Sequence, residues 1–486
     1  MTTKFHNLFF CLTLIWLFAC TAKDQKPNVV FILTDQWRAS AFGYAGDVNV
    51  QTPNLDKLAG EAVSFKNAVS VCPVCTPYRA SLLTGKYPTS TGMFLNDLYL
   101  PEEELCMAEI FKSAGYNTAY LGKWHLDGHG RFKNVQPERR QGFDYWKALE
   151  CSHEYNNMAY YENDSPEIKY WDGYSPFAIS KEAQNYIDEH AQDENPFLLF
   201  VSIAAPHFPH HSAPEEYKAL YPEDAIKVSP NVPAELHARI KKELNGYYAH
   251  CTAVDKAIGD LLDKLEKADV MENTIVVFTS DHGEMMGSHG NRPKSKQVAW
   301  DESTRVPFLI KTPFNTDDGE VVNAPITTPD ILPTLLGLAN VDIPQTIEGE
   351  NISELVKSPD SEVDRSVLFM NVCPFGNEYK FDEYRGIRTK QYTYVSSPEG
   401  AIMLFDDIKD PEQLNNLANK EEFAKVQQSL TKKLQKELKE IGDENFQKRE
   451  YYLDKWNLKL NEGKVVDYSG FTRGEGVVQS PRLSTK

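Results

Sequence analysis

Four short apolar runs, over residues 29–33, 118–121, 197–203 and 274–278, limit what this chain can fold into more than any other feature. Each has the length of a buried strand, and the stretches between them carry helical spacing. Alternating strands and helices predict an α/β fold: a large, mostly parallel sheet flanked by helices on both faces. In such a sheet the carboxyl ends of the strands share one edge, and ligands bind there. The residues following each run are therefore informative. Asp35 and Gln36 follow the first, Lys123 and His125 the second, His207 the third, and Asp281 and His282 the fourth. Singly, each aspartate reads as a cap or turn residue, Lys123 as a solvated lysine, and the histidines as loop or satisfied partly buried residues. At four strand ends in this order, they read as one site.

A fifth segment, Cys75-Thr76-Pro77-Tyr78-Arg79, places a thiol at a turn before a short helical run over 80–84, closed by Gly85. Pro77 suits a first helical turn, whose free amide hydrogens favour an anion. Arg79 adds a fork of donors suited to a tetrahedral oxyanion. A cysteine so placed is an ordinary buried thiol, a reactive thiolate, or the precursor of another group. Cys72 and Cys75 form a C-x-x-C, but the flanking sequence lacks the thioredoxin-like context that a redox pair requires.

Further helices are expected where Thr52 and Pro53 supply an N-cap and first turn ahead of Leu55, Leu58, Ala59 and Ala62, and over 105–114 before Gly115. Another carries Cys251, Val254, Ile258, Leu261, Leu262 and Leu265 on one face, which puts Cys251 in the core. A chain of 486 residues accommodates one large core and a smaller second unit. Its net charge of −19 argues against a nucleic-acid partner and requires any polyanionic substrate to be drawn in by a local basic site. Residues 1–20 read as an export segment: Lys4 precedes an apolar run over 8–19 that is too short to span a membrane. The run ends Leu17-Phe18-Ala19-Cys20, a lipobox-like sequence that predicts a lipid anchor at Cys20, with simple secretion as the competing reading. Either way the protein is expected to be exported, to the periplasm or as an outer-membrane or cell-surface lipoprotein.

The main domain is expected over 24–365 and a C-terminal subdomain with its tail over 366–486. Strands are expected at 368–371 and 386–388, with alternation over 390–395. A Lys- and Glu-rich helix over 421–440 is expected to present a solvated face. The result is a smaller α+β unit of antiparallel sheet plus helix. The tail from Asn445 carries aromatic residues but no recognisable pattern.

The spacing C-x-P-x-R, followed by A-S-L-L-T-G-K-Y-P, resembles the signature of type I, formylglycine-dependent sulfatases of the alkaline-phosphatase-like superfamily. The resemblance extends in order along most of 27–365. P-N-V-V-F-I-L-T-D-Q is similar to the family's first strand and metal turn, and T-P-N-L-D-K-L-A to its first helix. A-G-Y-N-T-A-Y-L-G-K-W-H is similar to its lysine and histidine strand, and T-S-D-H-G-E to its second metal turn. K-Q-V-A-W-D-E-S-T-R-V-P, from Lys296, resembles the segment carrying a second active-site lysine. D-P-E-Q-L-N-N-L, from Asp410, resembles part of the family's C-terminal subdomain.

The resemblance implies that Cys75 is oxidised to formylglycine (3-oxoalanine) by a maturation enzyme and that its hydrated aldehyde is the nucleophile. It implies calcium, with magnesium as second choice, held by Asp35, Gln36, Asp281, His282 and an oxygen of the modified Cys75. It also implies that Arg79, Lys123, His207 and Lys296 neutralise sulfate oxygens, that His207 or Lys296 protonates the leaving oxygen, and that His125 deprotonates the second hydroxyl. There are departures from the family pattern. Gln36 stands where many relatives have Asp, Tyr78 replaces a small serine, and Ser90 and Thr91 replace an Arg–His pair. Trp300 and Asp301 occupy the places of a Tyr–Glu pair, so Lys296 is assigned by spacing against nearby Lys294. Residues 128–174 and His210–His211 suggest a pocket rimmed for carbohydrate. Arg131, His153, His211 and Arg292 are the substrate-binding candidates, with Arg140, Trp146, Tyr155, His289 and Asn291 beside them. By analogy with exported bacterial polysaccharide sulfatases, the expected substrate is a sulfated oligo- or polysaccharide of algal type, such as ulvan or carrageenan. The alternatives are a phosphodiesterase or phosphonate hydrolase of the same superfamily, and a non-catalytic glycan-binding lipoprotein.

Overall fold

The computed structural model describes residues 26–128, 132–314, 319–359, 361–375 and 383–461. The predicted export segment, Arg131 and the last part of the tail lie outside the described residues. The four apolar runs form the strands Asn28–Asp35, Asn117–Lys123, Phe197–Pro206 and Thr274–Ser280. They lie side by side in the order Thr274–Ser280, Asn28–Asp35, Phe197–Pro206, Asn117–Lys123, every pair parallel. The short flanking strands bring this sheet to ten among the described residues, with antiparallel pairs confined to its outer parts.

Burial on both faces explains why these strands are continuously apolar. Val29, Phe31 and Leu33 belong to one core cluster, and Val30 and Ile32 to the other, as a two-residue repeat requires. Helices Cys75–Thr84, Met107–Ser113 and Thr328–Leu338 contribute to the first cluster. Helices Pro53–Ala59, Ser175–His190 and His237–Lys267 contribute to the second, and Cys251 is buried there as expected.

Local boundaries differ from expectation for identifiable reasons. The cysteine helix begins at Cys75 itself, so the thiol sits in the first turn and not ahead of it. Gly85, at φ 66°, closes that helix, and Ile347 is packed where a larger residue's Cβ would lie. The helix expected over 105–114 is the shorter Met107–Ser113, because Cys106 and Glu109 form a capping box at its start. The Thr52 hydroxyl donates to the Asp56 carboxylate and accepts from the Gly43 amide, so it does not cap an amide of its own helix.

The four-stranded antiparallel sheet runs Val367–Asn371, Tyr384–Arg388, Tyr392–Ser397, Gly400–Asp406. Helix Ala424–Glu440 buries Leu430, Leu434 and Leu438, four residues apart, and leaves its charged face solvated. Part of the unpatterned tail is ordered: helix Arg449–Lys455 buries Tyr452, and Trp456 donates its indole N–H to the Thr89 carbonyl. Arg388 pairs with Asp301 at 2.5 Å, joining this sheet to the main domain.

Candidate active site

The parallel register brings the strand ends together, since Thr34 lies opposite Ser280. Asp35 and Lys123 are the last residues of their strands, and His207, Asp281 and His282 immediately follow theirs. Cys75, at the start of its helix, faces the same point. The Lys123 ammonium donates to Asp35 Oδ2 at 2.5 Å. Gly122, at φ 101°, permits close strand approach, because a Cβ there would lie 2.0 Å from the Ser202 carbonyl oxygen.

Arg79 lies behind the two aspartates. One terminal nitrogen is 3.3 Å from both Asp35 Oδ2 and Asp281 Oδ2, while the other donates to the Lys123 carbonyl and Ser202 Oγ. Its hydrogen bonds therefore go to carboxylates and strand ends, where the sequence suggested an oxyanion contact. The other carboxylate oxygens turn inward: Asp35 Oδ1 is 3.7 Å and Asp281 Oδ1 3.5 Å from His282 Nε2.

Asp35, Cys75, Asp281 and His282 each offer an atom within 4.8 Å of the others, and all four are buried. His282 Nδ1–H points at the Gly283 carbonyl at 3.0 Å, which turns the Nε2 lone pair into the cluster. Gln36 donates its amide to Glu284 at 2.6 Å, leaving its carbonyl oxygen on the side of Lys296. Two carboxylates and an amide oxygen suit a hard divalent cation, and His282 completes a mixed oxygen–nitrogen donor set. The residues present fit the metal that the family implies.

Lys296 settles the ambiguity with Lys294. Its Nζ lies 3.2 Å from Cys75 Sγ, 3.2 Å from His282 Nε2 and 3.4 Å from His207 Nε2. Lys294 instead pairs with Glu243 at 3.4 Å and is partly exposed. His207 directs Nδ1–H to the Phe208 carbonyl, so its Nε2 accepts from Lys296. His125 Nε2 lies 2.9 Å from Asp97 Oδ1, while buried Nδ1 has no hydrogen-bond partner among the described residues. Gln36, Asp97, His125 and Gln297 all have φ between 59° and 74°. Such left-handed backbone costs non-glycine residues about 1–3 kcal/mol and clusters at functional sites.

Burial and Asp35 push the Cys75 thiol up in pKa, but Lys123, Lys296 and His282 outweigh them and hold it well below its ordinary value. Burial, His153 and Lys296 keep His207 well below the ordinary histidine range. For His125 burial is the largest effect and lowers the pKa, yet Cys151, Asp97 and Cys75 carry it up to about 10.

Among the substrate-binding candidates, His153 stacks on His207 with centroids 4.1 Å apart and rings parallel to 2°. His211, in the 3-10 turn His210–Ser212, and Arg292, in an irregular segment, are exposed and lie outside the buried cluster. Trp146 and Arg140 are not rim residues: Trp146 is fully buried in the core, and Arg140 packs over it while bonding the Val135 and Asn163 carbonyls. Tyr155 is buried and donates to the carbonyls of Ala204 and His207. His289 stacks on Trp300, and Asn291 is buried against Ser288. Sequence reasoning missed Asp97, Ser202 and Gln297. Glu284 stood inside a quoted motif without a role.

A mostly parallel sheet whose strand tips gather acids, imidazoles and lysines around one helix-start cysteine is the α/β architecture of the alkaline-phosphatase-like superfamily. Residues 27–341 match the sulfatase family, and residues 287–440 match the C-terminal region of N-sulphoglucosamine sulphohydrolase. The chain belongs to the sulfatase family and is a sulfuric ester hydrolase. It is 62% identical to an ulvan-active sulfatase of Formosa agariphila, over 94% of this chain and 90% of that protein. An endo-4-O-sulfatase of Bacteroides thetaiotaomicron is 31% identical, over 89% of this chain and 97% of that one. The crystal structure of a putative sulfatase from Bacteroides fragilis superimposes with a TM-score of 0.78 at 30% identity, covering 88% of this chain and 98% of that one.

Proposed function

We propose that this protein removes sulfate from a sulfated carbohydrate, ulvan or its oligosaccharides, using formylglycine made from Cys75. The convergence of Asp35, Cys75, Asp281 and His282 within 4.8 Å, with Lys296 in contact, is the observation that carries the chemistry. The 62% identity to an ulvan-active sulfatase supports the substrate. Asp35, Gln36, Asp281 and His282 would hold the divalent ion, calcium or else magnesium. When present, the ion supplies Lewis-acid stabilisation and the matured residue a nucleophilic oxygen, whose place Cys75 Sγ marks.

Lys123 and Lys296 meet the charge of the sulfate oxygens. Preorganised donors of this kind are worth about 2.7–4 kcal/mol of barrier each. Lys296 bridges from Cys75 to His207, which favours it as the donor facing the leaving oxygen. His207 is the weaker choice for that proton, because its Nδ1–H is committed to Phe208 and its Nε2 accepts from Lys296. Its role is to orient Lys296 and the substrate. His125 accepts a proton at Nδ1 from an oxygen on residue 75, with Asp97 fixing the ring from the other side. Maturation replaces the Cys75 thiol, one of the groups that raise His125, and so brings the ring closer to its basic form. Arg79 acts through the two aspartates it bridges. His153, stacked on His207, is placed beside the group that faces the leaving oxygen.

The same reading makes the chain a substrate of a formylglycine-generating enzyme. Residues 1–20 are read as an export segment, with a lipid anchor at Cys20. Mass spectrometry of the Cys75 peptide, from a host with the maturation enzyme, should find the thiol converted. The converted protein should desulfate ulvan oligosaccharides in preference to carrageenan or glycosaminoglycan ones. An unconverted thiol with full sulfatase activity would refute the formylglycine step. Turnover confined to the other glycans would refute the substrate.

A further inference from the structure

We infer that Gln297 is a positioning residue for Lys296, through which the C-terminal antiparallel sheet completes the active site. The inference rests on the reading above, in which the Lys296 ammonium faces the leaving oxygen.

Lys296 is carried by an irregular segment, with no helix or strand of its own over residues 291–300. Upstream the segment is fixed to the main domain. Glu284 Oε1 accepts from the Lys294 and Met286 amides at 2.8 and 2.9 Å, and its Oε2 accepts from Gln36. Downstream the hold comes from a different unit. Gln297 Oε1 accepts from the Phe375 amide at 3.0 Å, and Gln297 Nε2 donates to the Phe375 carbonyl at 3.4 Å. Asn371, the last residue of strand Val367–Asn371, donates to the Gln297 carbonyl at 3.2 Å. Thus both amide atoms of one side chain, and its own carbonyl, are bonded by a segment more than 70 residues later.

Gln297 is 2% exposed and sits at φ 74°. A left-handed glutamine is held only if its surroundings over-determine it, and these three bonds do so. The neighbouring peptide sets where the Lys296 side chain starts, so relaxing Gln297 towards an ordinary backbone would swing the ammonium away from Cys75 and His207. Phe375 and Asn371 therefore govern a group they do not touch. The precision required is high, because a misplacement of about 1 Å in a reacting constellation can cost about a hundredfold in rate.

The test compares two leaving groups. Gln297→Gly keeps the left-handed backbone accessible and deletes both amide bonds. With formylglycine occupancy matched by mass spectrometry, its kcat on a sulfated oligosaccharide should fall about 10- to 100-fold while KM stays within about twofold. An aryl sulfate, whose phenolate leaves without help, should lose far less. Asn371→Ala, which releases only the Gln297 carbonyl, should show the same split at smaller size and serves if Gln297→Gly folds poorly. Equal losses on both substrates, or no loss, would overturn the clamp, provided that Lys296→Ala shows the split. If Lys296→Ala shows no split, the assignment of Lys296 to the leaving oxygen fails instead.

Discussion

Replacing Asp97 by asparagine separates the orienting acid from the imidazole it holds. Asp97 Oδ1 lies 2.9 Å from His125 Nε2, and the two residues are only 3% and 2% exposed, so solvent cannot substitute for the lost charge. A hydrogen bond to a charged group is worth about 1.5–3 kcal/mol net and a neutral one about 1 kcal/mol. Asparagine keeps the size and an acceptor, so the loss is the difference, about 1–2 kcal/mol, or roughly 5- to 30-fold in turnover. The pH profile should move as well. Asp97 raises the His125 pKa, so without it the ring becomes basic at lower pH. If His125 works as a base, the rising limb of kcat against pH shifts to lower pH while the plateau falls. The assay is steady-state desulfation between about pH 5 and 9 with the variant matured to the same extent as the parent. A plateau within about twofold of the parent, or a rising limb that does not move, would refute the role given to this pair.

Two further predictions concern the scaffold. Arg385 and Asp443 pair at 2.6 Å with both side chains fully buried, so Arg385→Met should cost about 3–5 kcal/mol in denaturant unfolding, and the double variant with Asp443→Leu should recover much of it. Burial and the neighbouring Glu150 lift Asp127 above the usual carboxyl range, and burial lifts Glu150, despite Arg139 beside the first and His125 beside the second. The folded protein then holds protons that the unfolded chain releases, so stability is greatest near the unfolded carboxyl values and declines as pH rises towards the folded ones. Asp127→Asn should flatten that decline in urea melts, and an unchanged slope would remove the pair from the explanation.

The strand cores were legible because a strand buried on both faces must be apolar throughout, and the site followed because parallel topology fixes where strands end. Asp35, Lys123, His207, Asp281 and His282 could thus be grouped before any coordinates. Asp97 could not, since it lies in an irregular segment 28 residues before its partner and no period marks it. Gln297 escaped for a related reason: its left-handed backbone and its bonds to Phe375 depend on a second unit whose docking leaves no local signature. Trp146 and Arg140 were misjudged because aromatic and basic composition describes a carbohydrate rim and a core cation–π pair equally well. The Lys294–Lys296 choice turned on two residues of spacing, which only the path of the loop resolves.

The position of Arg79 bears on how an acidic protein handles an anionic substrate. With a net charge of −19 the surrounding field opposes sulfate, so attraction must come from groups within a few ångströms of the reaction centre. Two buried aspartates at that centre would by themselves add to the repulsion. Arg79 and Lys123 both reach Oδ2 of Asp35, and Arg79 also reaches Oδ2 of Asp281, which ties down the outer oxygens and leaves the inner ones facing His282 and Cys75. The carboxylates are thereby neutralised from behind and remain donors in front. Lys296, anchored from the other unit, then contributes a positive charge that no carboxylate of the cluster directly pairs. On this account the basic character of the site depends on the order in which its charges are stacked. Removing Arg79 would harm the site by freeing two carboxylates more than by deleting one cation.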